Sequence, residues 1–182
     1  MALSRLGGCV FFFGREVEEV RVPAPLVETN EQPRTIGQSV EGRPIEAYQF
    51  GKGDIHLLFV GGLHGGYEWN SVVLAYEAID YFTAHPELIP QSVLVSIIPN
   101  ANPDGVYAVV GKEGRFTAIG VPKEPENLGR FNARDVDLNR NFDCKWQPQS
   151  VWRDKAVSAG SAPFSEPEAR AIRNYVIENK PA

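Results

Sequence analysis

The sequence has few thiols, no long apolar run and no block of basic residues. Its two cysteines, Cys9 and Cys144, lie far apart and form no CxxC pair, so neither a thiolate zinc site nor a disulfide scaffold is indicated. The longest apolar run, Cys9 to Phe13, is much too short to cross a bilayer, which excludes a transmembrane segment. With 18 Lys and Arg against 23 Asp and Glu, the formal charge is -5 and the pI about 5.3, so nucleic acid is not an expected partner. Internal repeats and low-complexity tracts are missing as well, which excludes solenoids and disordered arrays. What is present is ordinary for a folded α/β or α+β unit: 182 residues, 43% apolar and 23% charged, with 17 Gly and 14 Pro spread along the chain as loop punctuation.

Leu6-Gly7-Gly8-Cys9 resembles a bacterial lipobox, but the apolar stretch that should precede the cysteine is missing and a single Arg5 stands in for a basic n-region. A signal sequence is therefore absent or clipped. Residues 15 to 33 mix charges with Pro23, Pro25 and Pro33, the composition of an extended tether, so the chain divides into an N-terminal segment 1-33 and a domain 34-182. Pro44 to Phe50 alternates as a strand, Gly51-Lys52-Gly53-Asp54 turns, and Ile55 to Val60 reads as a buried strand. A helix follows, capped by Asn70 or Ser71, with Val72, Val73, Tyr76, Ile79 and Phe82 on one face and an end before His85-Pro86. Val93 to Ile98 is a second buried strand, which completes a βαβ unit. From Asn100 to Pro163 periodicity is weak, and a stretch of that length behind a parallel strand points to a functional region. Ser165-Glu166-Pro167-Glu168 fits a capping box for a last helix with Ala169, Ile172, Tyr175 and Val176 as its apolar stripe.

Chemistry concentrates in two places. His64 and Glu68 lie on the glycine-rich loop between the first buried strand and its helix, and imidazole nitrogen with carboxylate oxygen is a good pair of zinc ligands. By themselves they also fit a turn histidine and a carboxylate favoured by the helix dipole. Arg130 to Phe142 holds Arg130, Arg134 and Arg140 among amides and aromatics, a composition suited to carboxylate recognition and oxyanion stabilisation, or to a loop laced with Arg-Asp pairs. Asn102-Pro103-Asp104-Gly105 reads as a turn. His56, His85 and Cys144 read as structural.

Together these pieces resemble the zinc carboxypeptidase family. The resemblance runs through Thr35 to Ile45, the His64/Glu68 loop, Asn102-Pro103-Asp104-Gly105, Asp137-Leu138-Asn139-Arg140-Asn141-Phe142 and Pro163 to Glu168, in family order. It implies a three-layer α/β/α sandwich with a mixed sheet, C-terminally incomplete, and a Zn2+ ion at the C-terminal ends of the strands. By position His64 and Glu68 resemble the first two zinc ligands, Arg130 the arginine that polarises the scissile carbonyl, and Asn139 with Arg140 the pair that grips the substrate's terminal carboxylate. The implied substrate is a peptide with a free C-terminal carboxylate, including a cell-wall peptide, and the implied setting is a monomer that is extracellular or in the periplasm or cell envelope.

The sequence departs from the family pattern twice. The usual His-x-x-Glu spacing carries one extra residue in His64-Gly65-Gly66-Tyr67-Glu68, so a bulge or a later start of Glu68 on the helix is expected. The third ligand, a His on the strand after the Ser165 to Glu168 helix, and the downstream Glu base have no counterpart before Ala182, so this chain is expected to bind zinc weakly, hydrolyse little and expose an apolar sheet edge. A zinc deacylase of the aspartoacylase type and a non-catalytic C-terminus-binding module remain as alternatives.

Overall fold

The computed structural model describes residues 30-119, 121 and 128-182; the Cys9 segment and the tether up to residue 29 lie outside the described residues. Four strands, β1 (Asn30–Gln38), β2 (Pro44–Gly51), β3 (Ile55–Val60) and β4 (Val93–Ile98), form one sheet in the order β1-β2-β4-β3. β2 runs antiparallel to both β1 and β4, whereas β3 runs parallel to β4, so the sheet is mixed. β1 opens at Asn30, inside the segment read as tether, because Pro33 is tolerated at a sheet edge and the backbone on both sides of it pairs with β2.

Side-chain alternation sends the two faces of the sheet to different helices. Tyr48 and Phe50 of β2 and Val95 and Ile97 of β4 pack with Val72, Tyr76 and Ile79 of α1 (Trp69–Ala84) and with Val106 of α2 (Pro103–Val110). On the opposite face Ile45, Ala47 and Ile98 pack with Ala171, Ile172 and Tyr175 of α3 (Pro167–Asn179). The result is an α/β/α sandwich. His56 reaches into the α3 layer as a satisfied core histidine: its Nδ1–H donates to the Asn179 carbonyl (3.0 Å), which leaves Nε2 to accept from the Ser96 hydroxyl (2.7 Å).

Several expected details differ. β3 is not buried: it is the sheet edge, with Ile55 50% and Phe59 56% exposed, because β4 covers one side of it and α1 leaves a groove along Phe59, Leu74 and Phe82. Neither Asn70 nor Ser71 caps α1. Glu68 occupies that position, while the Ser71 hydroxyl donates to the Glu68 carbonyl and accepts from Gly62 N–H. Asn102-Pro103-Asp104-Gly105 opens α2 instead of turning, since the Asn102 side chain accepts from Gly105 N–H and Pro103 sits in the first turn. The weakly periodic stretch also contains a hairpin, β5 (Gln149–Trp152) and β6 (Lys155–Ser158), whose short strands leave most of their side chains exposed.

The capping box does not form. The Glu168 carboxylate is drawn away to Val40 N–H (3.0 Å) and the Asn132 amide (3.2 Å), and the Ser165 hydroxyl donates to Glu166. Val176, placed on the apolar stripe, is 37% exposed, and Ala171 takes the buried position. Glu168 thereby ties α3 to the turn after β1, and Asp104 does the same for α2, accepting from Ser39 Oγ (2.6 Å), Glu41 N–H (3.0 Å) and Arg43 Nη1 (2.7 Å).

Burial raises the Glu168 carboxyl above its ordinary value; hydrogen bonds from its own backbone, Val40 and Asn132 oppose the shift without reversing it, and Asp104 adds to it. The folded state therefore holds this proton more tightly than the unfolded chain does. Ionised Glu168 opposes folding at neutral pH, and its protonation adds stability as pH falls through the raised value, completely so below the unfolded carboxyl range. Relative to Glu168→Gln, whose side chain does not titrate, the parent should gain stability as pH falls from neutral towards the unfolded carboxyl range in urea denaturation series. A difference that stays flat or falls across that window contradicts this account.

Candidate metal and carboxylate site

The parallel strands β3 and β4 end side by side, with Gly61 N–H donating to Ile98 O (2.8 Å) and Ala101 N–H to Gly61 O (2.9 Å). The loops that leave them carry His64 and Asn102 to the C-terminal edge of the sheet, where open α/β sheets place ligands. The extra residue between His64 and Glu68 is absorbed by a 3-10 turn, Gly65–Glu68, that leads directly into α1. This turn needs glycine. Gly65 has φ +46, and a Cβ there would lie 2.5 Å from Gly129 O and 2.9 Å from Gly105 Cα. Gly105 is equally constrained, since its Cβ would lie 2.3 Å from Gly129 O. Three backbone segments thus meet without side chains between them, behind the His64 loop.

At the centre is Asp137, fully buried. Its Oδ1 accepts from His64 Nε2 (3.2 Å) and from Asn139 N–H (3.1 Å), and its Oδ2 accepts from Arg130 Nη2 (3.0 Å). On the other side of the imidazole, His64 Nδ1 faces Glu68 Oε1 at 2.7 Å. Burial alone would lower the His64 pKa, but hydrogen bonds to Asp137 and Glu68 outweigh it and hold the imidazolium above its ordinary value. Burial likewise pushes Asp137 up, and the His64 hydrogen bond with the Arg130 charge brings it below the usual carboxylate range.

The structure brings His64, Glu68 and Arg130 into one cluster through Asp137. Asn139 and Arg140 follow on the 3-10 turn Leu138–Arg140; Asn139 is exposed, and Arg140 is half-buried with an Nε that has no partner. Arg134 lies apart, its guanidinium facing Glu166 (3.5 Å). His85 pairs with Glu87 at the surface, and Cys144 is exposed.

Asp137 belongs to a sequence motif that does not announce its role. The available signal was an acidic residue between Val136 and Leu138, since a carboxylate carried inward by apolar neighbours needs a cationic partner. Trp152 and Tyr67 were missed too. The indole lies against Arg130, with Cζ 4.3 Å from its ring, and Tyr67 and Phe131 complete the surround at 5.3 and 5.9 Å. Hairpin and loop are joined by Asp137 N–H donating to Ser158 O (2.9 Å), which no sequence period announces.

His64 Nδ1 and Glu68 Oε1 converge on one side of the imidazole, and Asp137 holds the other nitrogen, the arrangement in which a carboxylate orients a histidine ligand. The donor set therefore fits zinc. Among the described residues no group of three His, Cys, Asp or Glu is placed to hold a metal, because Glu68 and Asp137 face opposite ring nitrogens. No helix among them is long and apolar enough to cross a membrane.

Comparison with known proteins bears on the family and the fold. A Clostridium perfringens protein named as a bacteriocin is 29% identical over 178 residues, 93% of this chain and 18% of that protein. Carboxypeptidase B of Astacus astacus is 28% identical over 151 residues, 79% of this chain and 48% of that enzyme, so the chain spans half or less of these relatives. The crystal structure of murein-tripeptide amidase MpaA from Escherichia coli is 25% identical with a TM-score of 0.55, over 82% of this chain and 58% of that one. The sequence profile of the zinc carboxypeptidases matches residues 31-182, and with the α/β/α fold and the ordered site in place, the chain belongs to the zinc carboxypeptidase family.

Proposed function

We propose that this chain forms the first metal-binding and carboxylate-binding part of a zinc-dependent metallocarboxypeptidase, with residues 34-182 as the catalytic-domain unit. The observation that carries the reading is the chain Glu68–His64–Asp137–Arg130, in which one buried carboxylate orients both a metal-ligand pair and an arginine. His64 Nδ1 and Glu68 would hold Zn2+, which when bound lowers the pKa of its water and polarises a carbonyl. Asp137 accepts the Nε2–H of His64, which leaves Nδ1, the nitrogen that donates to Glu68, as the one that would give up its proton to a metal ion. Arg130, desolvated and held in place, is the donor for charge developing on the scissile carbonyl oxygen. Asn139 and Arg140, whose side chains have no partner among the described residues, are the donors for the substrate's terminal carboxylate.

The substrate is then a peptide with a free C-terminal carboxylate, and the likeness to a murein-tripeptide amidase supports a cell-wall peptide among the candidates. Placement outside the cytoplasm, extracellular or periplasmic, rests on the habit of the family together with the tether composition and the Cys9 pattern. A second reading is binding of peptide C-termini without turnover, with Arg130, Asn139 and Arg140 as the groove.

Equilibrium dialysis tests the metal site: the 182-residue chain should bind zinc weakly, and His64→Ala should abolish that binding. Unchanged zinc content in the variant overturns the assignment. Robust, chelator-sensitive hydrolysis of blocked dipeptides by this chain would remove the second reading. Asp137→Asn should destabilise the fold by about 3 kcal/mol in urea denaturation, because it leaves Arg130 buried and unpaired, whereas Arg134→Ala should cost under about 1 kcal/mol. Equal effects of the two substitutions would show that Asp137 is not the anchor.

A further inference from the structure

The hairpin turn between β5 and β6 has its central residues in the left-handed region, Arg153 at φ +45 and Asp154 at φ +62, the backbone of a two-residue hairpin turn. This turn does not point away from the site. Arg153 Nη2 donates to the Tyr67 hydroxyl (3.2 Å), and its Cζ lies 5.0 Å from the Trp152 ring. Trp152 in turn lies over Arg130 and meets Tyr67 edge-on, with centroids 5.6 Å apart. A contact path therefore runs from Asp137 through Arg130 and Trp152 to Arg153, and Tyr67, the residue before Glu68, ties its outer end back to the His64 loop.

Arg34, Arg43, Arg115, Arg130 and Arg134 each face a carboxylate within 4.0 Å, whereas Arg140, Arg153, Arg170 and Arg173 face none among the described residues, and of these four Arg153 is the exposed one held against the Trp152 ring that lies over Arg130. In a chain of net charge -5, an uncompensated guanidinium fixed by a tyrosine and an indole beside the site is suited to an anion that the rest of the surface repels. Asp154, next to it in the turn, forms no ion pair with it among the described residues.

We infer that Arg153 is a specificity-determining residue: it recognises a second carboxylate on the substrate, carried by the residue before the C-terminal one. The inference rests on the proposed function, which gives the terminal carboxylate to Asn139 and Arg140 and the scissile carbonyl to Arg130. Trp152, which lies against both Arg130 and Arg153, links the donor for that carbonyl to Arg153, and the residue on the carbonyl's amino side is assigned to this path. The substrate class is an acidic peptide with at least two carboxylates.

The test compares two probes that differ by one group, acetyl-Glu-Ala and acetyl-Gln-Ala, titrated into the zinc-loaded 182-residue chain by calorimetry. The acid should bind about fivefold more tightly at low salt, the size of one partly exposed ion pair, and the preference should shrink as salt is added. Arg153→Asn, which accepts the left-handed backbone and removes the charge, should abolish the preference and leave the affinity for acetyl-Gln-Ala unchanged. Arg153→Lys should retain part of the preference, which separates loss of charge from loss of the hairpin. Equal binding of both probes, with both weakened by Arg140→Gln, overturns the inference while the carboxypeptidase reading stands. Binding of neither probe overturns both. A preference that survives Arg153→Asn assigns the second carboxylate to another cation and overturns the inference.

Discussion

The site depends on one buried carboxylate. Asp137 has no exposure, yet it is surrounded by the His64 imidazole, the Arg130 guanidinium and the Asn139 amide N–H, each from a different part of the loop system. An isolated carboxylate in that position would be strongly unfavourable, so the three donors and the acid hold one another in place. Each partner also gains something it could not have alone. His64 acquires a defined proton position, Arg130 becomes a desolvated fixed charge, and the 3-10 turn that carries Asn139 and Arg140 gains its cap.

The backbone is arranged to let this happen. Parallel pairing of β3 with β4 delivers two loops to the same edge, and glycines at 65, 105 and 129 allow them to touch the later segment without side chains between. The buried acids Asp104 and Glu168 then fasten the turn after β1 to α2 and α3, so both helices are oriented by the same short turn. Sheet, helices and site loops are consequently one cooperative unit.

Much of this was legible in the sequence where one physical term dominates. β4 and the span of α1 follow from hydrophobic period, and the loops that carry His64, Glu68 and Arg130 stand out by their composition. Legibility failed where two terms compete. Ser165 and Glu168 satisfy the local capping pattern, but partners distant in sequence, Val40 and Asn132, draw Glu168 away from it. Asn102 to Gly105 has the residues of a turn, and the same Asn, Pro and Asp begin a helix when Val106 has a core to enter. β3 is as apolar as a central strand and lies at the edge, because composition reports what a strand can bury and not what covers it. The hairpin was illegible for a simpler reason: its side chains bury too little to impose a period.

The arginines divide along the same line between structure and ligand. A guanidinium that faces a carboxylate of its own chain has its charge answered, and Arg43 and Arg130, both largely buried, could not otherwise persist there. Arg140, Arg153, Arg170 and Arg173 face no carboxylate among the described residues, and Arg140 keeps a buried Nε without a hydrogen-bond partner, as do the paired Arg43 and Arg130. Leaving a buried donor unsatisfied costs about 1 to 3 kcal/mol, which a fold could remove by supplying one more acid. In a chain with 23 acidic residues such an acid is not scarce. Two of the three unpartnered guanidinium Nε atoms, those of Arg130 and Arg140, belong to the proposed site, where a second molecule's carboxylate would complete Arg140.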